Sequence, residues 1–250
     1  MFARIFISVL LGFLSLCTTA SAAESFISFS ADAYQQAPQQ PPQQAKMYVS
    51  ENAVRSEYST QGGQVVEIVY RKEKKRIILF PEQKSYREEL GIAIPDNRFT
   101  SKKTGSPCEG VPNVTCTKLA DEKIGNIETE KWEFISNITD KEVRTLHWLD
   151  KEHRFPVKQN YPDGTISELR KLTTETINNR VAQKWQLIIS RPNGVRHESF
   201  QWYDPELRIA IREEIPGGYI RELRNILTGK LDTTLFTIPE DFKKLETPRS

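Results

Sequence analysis

The sequence predicts an all-β protein built around one large, curved antiparallel sheet with an internal repeat. Short runs of β-branched and aromatic residues recur along the 250-residue chain, separated at regular intervals by turn residues. No window has a sustained helical period. Adding three or four N-terminal strands to two four-stranded repeat units predicts a sheet of about 11–12 strands.

Residues 1–22 are predicted to be a secretory signal peptide. Arg4 precedes an apolar run, which is followed by small residues ending in Ala20-Ser21-Ala22, and this order is typical of a cleavable signal. The apolar run has about 13 residues, whereas a membrane helix needs about 20. Lipidation at Cys17 and an uncleaved apolar core segment are the alternatives, but for lipidation Leu16 stands where lipoprotein processing requires a small residue. We therefore expect a periplasmic or secreted protein of a bacterium, with no transmembrane segment in the mature chain.

Two cysteines remain after the signal, Cys108 and Cys116, in the stretch SPCEGVPNVTC. An even pair in an oxidising compartment predicts a structural disulfide. Free or redox-active thiols and metal ligation are the alternatives. No CxxC motif is present.

The mature chain is predicted to begin with an N-terminal strand and a Gln/Pro-rich loop, residues 23–46, before a single β domain, residues 47–250. The stretch YQQAPQQPPQQ begins at Tyr34. Its three prolines remove backbone donors and its glutamines supply no apolar core, so we expect a loop that cannot form a central strand.

An antiparallel meander is predicted next, with strands over residues 54–58, 64–70 and 76–80. The pairs of strands are separated by Gly62-Gly63 and by the charged turn Lys72-Glu73-Lys74. Short β-branched runs joined by such turns are typical of consecutive hairpins.

The second half of the chain contains an internal repeat. The stretch HWLDKEHR from His147 recurs as QWYDPELR from Gln201, and ten of the 25 positions in 148–172 are identical at an offset of 54. We predict two four-stranded units, about 128–175 and 181–228. Two units are too few for a solenoid, so they are expected to continue one sheet.

Catalytic and metal-binding motifs are absent from the sequence. The 35 Lys and Arg against 33 Asp and Glu give a formal charge of +2, which argues against electrostatic capture of nucleic acid. The only histidines, His147, His153 and His197, lack metal-site spacing and are expected at the surface or rim. The sequence therefore predicts a protein without enzymatic activity, metal or cofactor.

All four tryptophans occupy equivalent positions in the repeat: Trp132, Trp148, Trp185 and Trp202. One interpretation places them in the core under the sheet. The other places them on a concave face, where they would line an apolar site for a lipid-like ligand.

The meander and the C-terminus resemble a known superfamily. The stretches NAVRSEY from Asn52, PEQKSY from Pro81 and LFTIPEDF from Leu235 are similar to the periplasmic lipoprotein-carrier (LolA-like) superfamily. This resemblance implies an incomplete β-barrel, an unclosed curved sheet whose hollow accepts acyl chains. It also implies that Arg55, which matches an arginine after the second strand of those carriers, helps gate the hollow.

We therefore predict an exported, non-enzymatic protein that binds a lipid or other apolar ligand through Arg55 and the four tryptophans. The alternative is an envelope protein that binds a protein partner, or a structural module, with a β core filled by its own side chains.

Overall fold

The computed structural model describes residues 26–92, 105–109, 111–139, 141–151 and 154–246. The predicted signal peptide lies outside the described residues. The described chain forms one 16-stranded sheet that is not closed into a barrel. The predicted all-β fold is confirmed, although the strand count of about 11–12 was too low. The surplus comes mainly from polar edge strands, whose solvent-facing side chains give little apolar signal in the sequence.

The strands are numbered in chain order. Those of the first half are β1 (Phe29–Gln36), β2 (Gln43–Val49), β3 (Ala53–Thr60), β4 (Gly63–Tyr70), β5 (Lys75–Phe80) and β6 (Ser85–Leu90). Those of the second half are β7 (Val114–Ile124), β8 (Ile127–Thr139), β9 (Lys141–Asp150), β10 (Pro156–Asn160), β11 (Ile166–Ile177), β12 (Arg180–Ser190), β13 (Arg196–Asp204), β14 (Ile209–Ile215), β15 (Tyr219–Thr228) and β16 (Lys243–Lys244). Within the described ranges, two short 3-10 helices cover Pro81–Gln83 and Thr233–Phe236.

Two antiparallel meanders make up the sheet, β1–β6 and β7–β15. They join in the middle, where β1 pairs with β15 and Phe29 lies opposite Thr228. Strand β7 lies at one edge, and β16 lies parallel to β6 at the other. After β15 the chain must therefore travel from the middle of the sheet to the β6 edge.

The prediction that the whole Gln/Pro-rich stretch forms a loop was wrong. Strand β1 continues to Gln36 and β2 begins at Gln43, so Tyr34 lies opposite Gln44 within two central strands. Only residues 37–42 form the connection, and they contain all three prolines. The prediction was wrong because glutamine can continue a strand when the proline residues are confined to the turn.

Each repeat unit carries four strands, β8–β11 and β12–β15. The second and third strands of each unit are joined by the same turn: the amides of Arg154 and Arg208 donate to the carbonyls of Asp150 and Asp204, both at 2.8 Å. Arg154 and Arg208 have φ of 63° and 59°. The sequence repeat is thus also a repeat of backbone conformation.

Most of the buried apolar side chains among the described residues form three clusters. The largest joins the apolar face of β1 and β2 to the second repeat unit and includes Phe29, Val49 and Ile211. The second belongs to β3–β5 and packs against the C-terminal residues. The third is aromatic and belongs to β9–β13. No helix in the described part of the chain is long and apolar enough to cross a membrane.

The predicted disulfide is confirmed between Cys108 and Cys116, whose Cα atoms are 5.8 Å apart. The bond connects the segment before β7 to the beginning of that edge strand. We expect reduction, or a Cys108→Ser/Cys116→Ser double variant, to lower the stability by about 2–3 kcal/mol, since the loop in the unfolded chain is freed. Thermal melts with and without reductant measure this effect. An unchanged melt with both thiols open to labelling would contradict it.

Candidate functional site

Arg55 lies on β3 and holds the C-terminal part of the chain. Its Nε donates to Oε1 of Glu57 at 2.6 Å, and its Nη1 donates to the carbonyl of Leu235 at 2.8 Å. Arg55 is directly opposite Ile68 of β4, and opposite residues share a face of the sheet. The guanidinium therefore lies beside an apolar sheet face and binds a backbone carbonyl above it.

That apolar face is covered by residues 232–245, which we call the C-terminal strap. Three apolar side chains of the strap, Phe236, Ile238 and Phe242, pack against the cluster on β3–β6. The residues beneath them are Ala53, Val66, Ile68, Ile77, Leu79, Tyr70 and Tyr86. The strap thus occupies the surface that an apolar ligand would need.

Tyr70 provides a second tether for the strap. Its hydroxyl donates to the carbonyl of Phe236 at 2.5 Å, next to the carbonyl that Arg55 holds. Burial raises the pKa of Tyr70, so its hydroxyl stays protonated and able to donate. This residue could not be predicted from the sequence, because a tyrosine at the end of a strand gives no sign of which segment covers it.

Few main-chain bonds attach the strap to the sheet. Within the described residues, the amides of Lys243 and Leu245 donate to the carbonyls of Lys84 and Tyr86, at 2.9 and 2.7 Å. The Lys84–Asp241 ion pair at 2.8 Å is exposed on both sides, and such pairs contribute little. Apolar contact and the two side-chain tethers therefore provide most of the attachment.

Trp148 and Trp202, on β9 and β13, have equivalent surroundings. The Nε1 of Trp148 donates to Glu122 at 2.6 Å, and that of Trp202 donates to Glu175 at 2.8 Å. These bonds lower the pKa of both carboxyl groups, with a further contribution from a lysine on the next strand. The repeat therefore preserves an indole-to-carboxylate bond across three strands.

Cations from both neighbouring strands cover these two indole rings. Lys131 and Lys158 lie 4.9 and 5.2 Å from the ring centre of Trp148. At Trp202 the equivalent cations lie 4.7 and 5.4 Å away; they are Lys184 and Arg212. Only 5 % of Trp148 and 4 % of Trp202 is exposed. Their rings are therefore enclosed by charged stems and present no open apolar wall.

Trp132 and Trp185 lie on the other face of the sheet. Trp132 is opposite His147, whereas Trp148 is opposite Lys131, and adjacent residues of a strand point to opposite faces. Likewise, Trp185 is opposite Gln201, whereas Trp202 is opposite Lys184. By strand register the four predicted tryptophans thus form two pairs, although Trp148 and Trp185 contribute to the same buried cluster. None of the four belongs to the cluster on the sheet face of Arg55.

The second pair also has unequal polar contacts. Trp132 Nε1 donates to Glu130 at 3.1 Å. Trp185 packs edge-on against Phe155 with ring centres 5.4 Å apart, and its Nε1 has no partner among the described residues. The equivalent position is also different in the sequence, since the uncharged Gln183 stands in the second unit where Glu130 stands in the first.

His147 is more enclosed than the predicted surface or rim position. Its ring stacks on Phe134 with centres 4.0 Å apart, and its nitrogens bond to Thr145 Oγ1 at 2.7 Å and to Gln159 Nε2 at 3.1 Å. Burial lowers its pKa to about 4, so the ring is neutral near pH 7. His153 lies outside the described residues. Among the described residues no group of His, Cys, Asp and Glu could hold a metal ion.

No protein-family model matches the sequence, and no curated protein matches it. Similar solved structures include a DUF1329 family protein from Desulfovibrio piger, with TM-score 0.29 and 12 % identity over 86 % of this chain and 91 % of that chain. They also include a LolA superfamily protein from Nitrosomonas europaea, with TM-score 0.33 and 8 % identity over 86 % and 91 % of the two chains. A putative outer membrane lipoprotein-sorting protein domain from Vibrio parahaemolyticus gives a TM-score of 0.32 and 11 % identity over 84 % and 89 %. The superfamily that the sequence resembles is thus found among the structural neighbours, and at these scores the likeness carries no conclusion about ligand or activity.

Proposed function

We propose that this protein is an exported, non-enzymatic binder of a lipid-like ligand, which it takes up on the apolar face of β3–β6 beneath the C-terminal strap. The observation that carries this proposal is the pair of donors on that face. Arg55 and Tyr70 hold the carbonyls of Leu235 and Phe236, and they would be free to hold the oxygens of a head group once the strap leaves.

Replacing the strap by an acyl chain on this face would change the free energy of apolar burial little. Burying each of the three apolar side chains of the strap contributes about 1.5–3 kcal/mol, and each methylene of an acyl chain contributes about 0.8 kcal/mol. A chain of about ten methylenes therefore offsets the loss of Phe236, Ile238 and Phe242 from the face. Since the strap pairs with the sheet edge only through the two-residue strand β16 in the described chain, its release leaves the β3–β6 ladder intact.

The test is the uptake of a fluorescent fatty acid by the mature protein. We expect saturable binding, and about tenfold tighter binding by a Phe236→Ser/Phe242→Ser variant, because its strap competes less well for the face. Leu227→Ser is the matched control, since Leu227 is 67 % exposed and lies on β15 away from the strap. Its affinity should equal that of the wild type.

The alternative function is favoured by the strap itself. If the strap is a permanent layer of the core, the face is self-filled and the protein serves as an interaction or structural module of the envelope. Absence of uptake by both the wild type and the strap variant would favour this alternative and contradict the lipid proposal.

A further inference from the structure

The turn between β4 and β5 concentrates positive charge at one corner of the sheet. Its sequence from Arg71 to Arg76 is RKEKKR. Arg76 is paired with Glu67 and Glu89, and Arg71 donates to the carbonyls of residues 50 and 51. In the sequence this run indicates only a turn, because the net charge of +2 conceals a local excess.

Two lysines of this turn remain available. Lys72 and Lys74 are exposed, and within the described residues neither forms an ion pair. The acidic groups at the corner are Glu73, in the turn itself, and Glu51, in the loop that Arg71 contacts. A third carboxylate, Glu88 on β6, is near enough to Lys75 to interact with it, and it is also paired with Lys244 of the strap. With Arg71 and Lys75 included, four cations of the turn therefore face three carboxylates, one of which has a lysine partner of its own.

An exposed apolar side chain lies beside these cations. Leu90, directly opposite Lys75 at the end of β6, is 72 % exposed. Ile92 follows it, and its amide donates to the carbonyl of Lys74 at 3.2 Å. Leucine next to lysine at an outer corner matches the boundary of a bilayer, where apolar groups insert and cations meet head groups.

The same corner adjoins the strap-covered face. Tyr70 is opposite Lys75, and Lys75 is opposite Leu90, so these three residues form one row on one face. The Nζ of Lys75 lies 4.5 Å from the ring centre of Tyr70, and Tyr70 is a tether of the strap. The charged corner is therefore the end of the sheet from which the face beneath the strap would be reached.

We propose that this corner, residues 71–75 with Leu90 and Ile92, docks the protein onto an anionic lipid surface. Each lysine near such a surface strengthens binding severalfold, and the attraction is screened over about 10 Å at 0.1 M salt. The proposal rests on the proposed function in one respect only, namely that docking presents the strap-covered face to the lipid that it would bind. Docking itself needs no bound ligand.

The experiment is co-sedimentation of the mature protein with vesicles of phosphatidylcholine alone or with 30 % phosphatidylglycerol, a composition on the order of the charge density at which basic segments bind. We expect binding only to the anionic vesicles, and its loss at about 0.5 M salt. Lys72→Glu/Lys74→Glu should weaken binding by about tenfold or more, and Leu90→Ser by a smaller factor. The matched control is Lys141→Glu/Arg191→Glu, which makes the same charge change in turns at the opposite end of the sheet and should bind like the wild type.

Three results would overturn the proposal. These are no sedimentation with anionic vesicles, equal weakening by the control variant, and equally tight binding to soluble polyglutamate, which would assign the corner to an acidic protein. Uptake of the fluorescent fatty acid from solution separates the two functions. The Lys72→Glu/Lys74→Glu variant should keep this uptake while it loses vesicle binding. If instead the wild type binds vesicles but takes up no fatty acid, the lipid-binding proposal fails and the docking proposal stands.

Discussion

Replacing Trp202 by alanine should lower the free energy of unfolding by about 3–5 kcal/mol. The side chain is 4 % exposed and belongs to the largest apolar cluster. Its removal leaves a cavity and deprives Lys184 and Arg212 of the ring that they cover. It also leaves Glu175 without its indole donor. Chemical denaturation of the wild type and the variant measures the loss.

Two further variants divide this effect among its causes. Trp202→Phe keeps an aromatic face for the cations and removes the N–H donor, so we expect a smaller loss of about 1 kcal/mol for the hydrogen bond plus a packing cost. Tyr219→Ala, at a position that is 44 % exposed, should cost little. A loss below about 1 kcal/mol for Trp202→Ala would contradict its role in the core. Trp148→Ala should also be destabilising, since Trp148 is 5 % exposed and has the same indole-to-carboxylate bond and two covering cations, although it packs in the aromatic cluster.

Acidification should destabilise the protein through His147. The pKa of this residue is lowered by burial to about 4 in the folded protein, against an ordinary value of 6.5. Between pH 4 and pH 6.5 the unfolded chain binds a proton at this residue that the folded chain does not. The free energy of unfolding is therefore not reduced by His147 above pH 6.5, and it decreases as the pH falls toward 4. The full shift corresponds to about 3 kcal/mol. Because the ring keeps some contact with solvent, we expect about 2 kcal/mol.

A buried carboxyl group acts in the opposite direction. Burial raises the pKa of Glu67 to about 6 from 4.5, despite the ion pair with Arg76. The folded chain therefore takes up this proton before the unfolded chain, and its contribution to stability increases as the pH falls from 6 to 4.5. The shift at Glu67 is smaller than that at His147, so it offsets the loss only in part.

His147→Gln isolates the histidine from the other titrating groups. Glutamine can keep hydrogen bonds to Thr145 and Gln159 and has no proton to gain. We expect the wild type to lose about 2 kcal/mol more than this variant between pH 7.5 and 4, measured by denaturant unfolding at each pH. Parallel curves for the two proteins would show that His147 does not control the acid response.

Most of the strands, the turns between them, the disulfide and the repeat could be predicted from the sequence. These features depend on interactions between residues close in the chain. Gly164 and Gly218 adopt φ of 80° and 85° in their hairpin turns, a region open to glycine. Cys108 and Cys116 are eight residues apart and therefore met in any compact loop.

The face that each tryptophan occupies and the segment that covers the apolar face of β3–β6 could not be predicted from the sequence. The face of a tryptophan depends on strand register, since a shift of one residue reverses every side chain. The bulges that set this register, such as the one at β13 and β14, leave no clear mark in the sequence. Arg55 and Leu235 are 180 positions apart, so their contact follows from the path of the whole chain. Local propensity describes how a strand is built, and the packing of distant segments determines what each of its faces meets.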